Sequence, residues 1–74
     1  MSVNIALEKD EALVLFELLS SQKLDNAVDA PERNALGALE GVLQKTLVEP
    51  LASNYADIIK GARESLLSRY GSSN

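Results

Sequence analysis

The 74-residue sequence predicts a small all-α domain, three helices preceded by a short extended N-terminal arm or strand. Apolar residues recur at helical spacing over three stretches, about 9–20, 31–48 and 54–70. Pro31, Pro50 and Gly71 punctuate those stretches where helices start or stop. Hydrophobic residues make up 46% of the chain, ordinary for a globular protein and too many for a disordered one. A chain this short holds a single core, so residues 1–70 read as one domain.

Val3, Ile5 and Leu7 alternate with Asn4 and Ala6, a short period-2 signal for an extended arm or strand. The pattern changes at Glu8, Lys9, Asp10 and Glu11, whose acids suit the positive end of a helix. Lys9 to Ser20 contains good helix formers and neither Gly nor Pro, which makes the first helix. Ser20-Ser21-Gln22 ends it, and a loop runs to Asp29 with Leu24 and Val28 as its apolar anchors. Asp29 and Glu32 form a variant capping box, and Pro31 sits in the first turn, where its missing N–H costs nothing. The second helix runs to about Val48, because Pro50 forbids much more. Leu51-Ala52 is a short connector, which predicts that the second and third helices form an antiparallel neighbouring pair. Ser53 or Asn54 caps the third helix, and Gly71 ends it near Tyr70. Residues 71–74 are small and polar and read as a flexible tail.

The helix faces differ. At 100° per residue, the apolar residues of the second helix, from Ala35 and Leu36 to Leu47, fall within roughly 140°, and those of the third, from Tyr55 to Tyr70, within roughly 120°. In the first helix, residues from Ala12 to Leu19 spread over roughly 260°, with Asp10 and Glu17 marking a narrow wet strip. Two one-sided helices leave part of such a cylinder bare. The arm, the Leu24–Val28 loop or a second copy must cover the rest. Self-association follows as an expectation, with Val3, Ile5, Leu7, Leu13, Val14 and Leu18 as contact residues. The alternative is a monomer with the loop folded over the first helix. Gly37 and Gly41 add a G-x-x-x-G face turned away from the leucine stripe, where another helix could approach closely; a tolerated plain surface is the alternative.

Composition excludes several classes of function. With no Cys there is no disulfide or thiolate metal site, and with no His there is no Ser-His-Asp triad and no imidazole ligand. Glu8, Asp10 and Glu11 lack the spacing of a calcium loop and read as helix N-terminal acids, so no metal and no cofactor is expected. Glu17 and Glu40 are the acids deep inside helices, and nothing marks them as a catalytic pair; the chain does not read as an enzyme. A net charge of −4 argues against nucleic acid, and the charge is uneven: −5 over residues 1–40 and +1 over 41–74. No run of 18 apolar residues is present, so no membrane span is expected, and without a basic signal-like start a cytoplasmic location is the expectation.

Glu11-Ala12-Leu13-Val14-Leu15-Phe16-Glu17, Leu39-Glu40 with Leu43, Lys45 and Leu47-Val48-Glu49-Pro50, then Tyr55 and Ala62-Arg63 form a pattern over most of residues 7–67. It resembles a group of small, mostly helical bacterial proteins with no assigned activity. That pattern has a Ser/Thr cap where Glu8 stands and a Trp near Gly37. The resemblance implies a small bacterial helical protein and no catalytic residue. The sequence thus points to a protein-interaction module acting as a homodimer; the alternative is a small regulatory or antitoxin-like partner of a larger protein, docking its acidic half on a basic surface.

Overall fold

A computed structural model describes residues 1–71. The element order is α1 (Lys9–Ser20), α2 (Ala30–Thr46), a single 3-10 turn (Glu49–Leu51) and α3 (Tyr55–Tyr70). No strand occurs among the described residues; the segment before α1 is an arm without regular structure. Residues 72–74 of the expected tail lie outside the described residues.

Local chemistry sets each boundary. The Glu8 N–H donates to the Glu11 carboxylate at 2.8 Å, closing the first turn of α1. At its other end the Ser21 N–H donates to the Glu17 carbonyl and the Ser21 hydroxyl to the Leu18 carbonyl. Gln22 then turns left-handed, φ 63°, a conformation more usual for Gly just past a helix. The Asp29 side chain accepts from the Glu32 N–H at 2.9 Å while Glu32 accepts from the Asp29 N–H at 2.8 Å, the expected capping box of α2. Asn54 precedes α3 as expected but caps it through its backbone carbonyl, which accepts from Asp57 and Ile58, not through its side chain. Gly71 ends α3 at φ 75°, ψ 176°, a region essentially reserved for Gly.

α2 stops at Thr46, two residues earlier than the sequence suggests. The residue four before Pro50 is Thr46, and a proline ring collides with the carbonyl at that position in a continuing helix. Leu47 leaves the helix in an extended conformation and turns its side chain into the core, 6% exposed. The connector therefore spans residues 47–54 and contains the 3-10 turn.

The order of packing also differs from the expected α2–α3 pair. α1 lies between α2 and α3 and packs on both, while α3 also packs on the 3-10 turn. Tyr55, at the start of α3, bonds to Glu17, and Ser65 and Arg69, near its end, bond to Asp10. α3 thus runs opposite to α1. Ser20 meets Glu40 at one end of α1 and Lys9 meets Glu49 at the other, so α2 also runs opposite to α1. The greasiest helix is central because only that position offers it two apolar neighbours.

The core is Ala12, Leu13 and Leu19 of α1, Leu43 and Leu47 from α2 and its end, and Ile59 and Ala62 of α3. Val14, Leu15, Phe16, Leu36, Leu39, Tyr55 and Ile58 are half-buried around it. Leu24 and Val28 half-bury as loop anchors, and Arg33 fastens that loop by donating to the carbonyls of Asp25 and Val28. Gln22→Gly removes the left-handed penalty and is expected to stabilise the fold by about 0.5–1 kcal/mol, read as a higher urea midpoint at unchanged slope.

Candidate functional site

α2 turns only part of its apolar stripe toward α1. Leu43 and Leu47 are buried and Leu36 and Leu39 half-buried, but Val42 is 61% exposed. Beside this uncovered edge lies the arm, with Val3 at 74%, Ile5 at 72% and Leu7 at 42% exposure. Between them runs a groove of about 540 Å³. Val3, Ile5 and Leu7 border it on one side and Leu39 and Val42 on the other, above Leu15 and Leu43; Asn4 is the single polar residue in its lining. No ionisable side chain lines it. It is larger than the concavity of about 380 Å³ between α1 and α3.

The other expected contact residues fall elsewhere. Leu13 is 3% exposed and belongs to the core, so it is not available to a partner. Val14 and Leu18 are half-buried and line a separate concavity of about 380 Å³ between α1 and α3, with Glu17, Ile59 and Arg63. Gly37 is exposed and Gly41 half-buried, and a methyl group built on either would meet nothing within 4 Å. Within this chain neither glycine serves a close helix approach. Leu39 and Val42 were not singled out as contact residues from the sequence; the breadth of the α2 stripe, wider than one neighbouring helix can hide, is the signal that points to them.

The acids sit differently from the expected wet faces. Glu17 is half-buried and accepts a hydrogen bond from the Tyr55 hydroxyl at 3.0 Å. Burial, reinforced by that carboxylate, pushes the Tyr55 hydroxyl up to about 12. Glu40 lies on the other side of α1, lining a smaller concavity with Arg33, Leu24 and Leu36. Glu17 and Glu40 therefore line different concavities, one between α1 and α3 and one beside the loop.

Asp10 and Glu11 are engaged by the end of α3. The Ser65 hydroxyl donates to Asp10 at 2.6 Å, and Arg69 reaches Asp10 at 2.8 Å and Glu11 at 3.8 Å. The Tyr70 hydroxyl donates to Glu11, and the Arg69 guanidinium stacks 5.2 Å from the Tyr70 ring centre. The Ser65 bond, with Arg69, holds the Asp10 carboxyl below its ordinary value, and the Tyr70 bond does the same for Glu11. Lys9 lowers Glu49 in the same way. These residues act as a polar clasp between helix ends. Among the described residues no group of three or more acidic, His or Cys side chains is arranged to hold a metal ion. No helix among them is long and apolar enough to cross a membrane.

No family model, curated protein or solved structure matches the chain.

The clasp carboxyls have folded-state pKa values below their ordinary 3.8 and 4.5, so their stabilisation is complete above those values and is lost as pH falls through the lowered ones. The melting temperature should hold from pH 7 to about 5 and fall below about 4, and Asp10→Asn should lower it at pH 7 and flatten the acid limb. Gly37→Ala and Gly41→Ala should each raise unfolding free energy by about 0.5–1 kcal/mol in dilute protein, measured by urea titration. A loss at either position would mark that face as a contact with another molecule.

Proposed function

We propose that this protein is a small protein-interaction module whose working form is a homodimer. The observation that carries this reading is surface area. A compact monomer of 8.0 kDa exposes about 4,450 Å². This chain exposes 5742 Å², an excess of about 1,300 Å². Standard interfaces hide about 800 Å² per partner, so the surplus is enough for one. The radius of gyration agrees, 13.3 Å against about 11 Å for a compact chain of this length.

The core supports the same reading. No described side chain is less than 2% exposed, and seven residues form the buried set. A small domain with so thin a centre gains stability by hiding apolar surface against another molecule, at about 25 cal/mol per Å². Exposed large apolar residues stand on the arm, at Val42, at Val48 and Leu51 around the 3-10 turn, and at Leu67 and Tyr70 of α3; the arm and Val42 face one another across the groove.

Light scattering after size exclusion, at tens of micromolar, should return twice the chain mass of 8.0 kDa. A single species of chain mass at that concentration overturns the dimer. Salt-sensitive recovery in a complex with a basic protein would instead favour the regulatory-partner reading, because the first 40 residues carry −5.

A further inference from the structure

We infer that the groove between the arm and α2 is the dimer contact, and that it is filled by the arm of a second copy while this copy's arm fills the partner's groove. The inference rests on the homodimer proposed above and names its surface.

Four observations converge on that occupant. The groove, about 540 Å³, is left unfilled although its own arm borders it: Val3 and Ile5 stand 74% and 72% exposed beside the recess instead of lying in it. The patch therefore carries both a projecting apolar ridge and an apolar recess. Such a surface is self-complementary, and a two-fold pair uses each half twice, Ile5 of one copy against Val42 of the other and the reverse. Charge favours a second copy as well. Two molecules of net charge −4 repel wherever their acids meet, and this concavity has no ionisable lining residue. The whole chain carries a surplus of about 1,300 Å², which leaves room for the about 800 Å² that a standard interface takes from each partner. Finally, the arm has the alternation needed to present one apolar edge, Val3, Ile5 and Leu7, with Asn4 and Ala6 between them.

Exchange also accounts for the uncovered edge of α2. Leu39 and Val42 follow the core stripe of Leu36, Leu43 and Leu47, yet α1 hides only the inner half of it. The outer half is matched by aliphatic groups on the arm, and a second copy brings those groups in without moving α1.

The test uses residues already exposed, so the single chain keeps its fold. Ile5→Asp and Val42→Asp should each weaken dimerisation about 100-fold or more by placing an unpaired charge in an apolar contact, measured by sedimentation equilibrium. Leu67→Asp, at an exposed apolar site on α3, serves as the control and should leave the association unchanged. Because the chain has no Cys, an Ile5→Cys/Val42→Cys double variant reports which arm lies in which groove. Mild oxidation should yield a covalent species of twice the chain mass in non-reducing electrophoresis. If the wild type is dimeric but Ile5→Asp and Val42→Asp leave the association unchanged, or the cysteines join within one chain, arm exchange is overturned and the homodimer stands. If the wild type is monomeric, both fall.

Discussion

The structure depends on where a helix with apolar residues on most of its circumference can be put. α1 cannot lie at the edge of a bundle, because too many of its side chains would face water. It therefore occupies the middle, with α2 and α3 on either side and running in the opposite sense. That choice separates α2 from α3, so neither hides the other's flank. The wide stripe of α2 then has a bare outer edge at Val42, beside the half-buried Leu39. Coverage of one helix is obtained by uncovering part of another, and the groove beside the arm is the result.

Polar contacts adapt to this arrangement rather than cause it. Ser65, Arg69 and Tyr70 meet Asp10 and Glu11 because α3 ends where α1 begins, bringing cations and hydroxyls to acids that the helix dipole already favours. These bonds are exposed and each contributes modestly. Their value is registry: they fix how far α3 slides along α1. The Tyr55–Glu17 bond does the same two turns away and lets a half-buried carboxylate keep a donor.

Much of the fold was legible in residue order. The α1 limits, the Asp29/Glu32 box, Gly71 as a stop and the Leu24/Val28 anchors follow from local rules, and local rules act through neighbours in sequence. What was not legible depends on distant residues. The antiparallel α2–α3 pair looked natural because the connector seemed short, but the Pro50 ring ends α2 at Thr46 and lengthens that connector to eight residues, 47–54. Leu13 looked like a contact residue because a helical wheel shows that α1 is apolar without showing which side each neighbour takes. The arm trio could be read from its alternation, whereas its companions Leu39 and Val42 required knowing which half of α2 meets α1. Glu17 looked wet for the same reason: the tyrosine that reaches it is 38 positions away.

The Arg33 guanidinium, in the first turns of α2, holds the carbonyls of Asp25 and Val28. The loop is thereby hooked to the helix that follows it. Unwinding the start of α2 withdraws the hook, and lifting the loop pulls on Arg33, so the two movements are coupled. Amide protons of the loop and of the first turn of α2 would then share part of their protection.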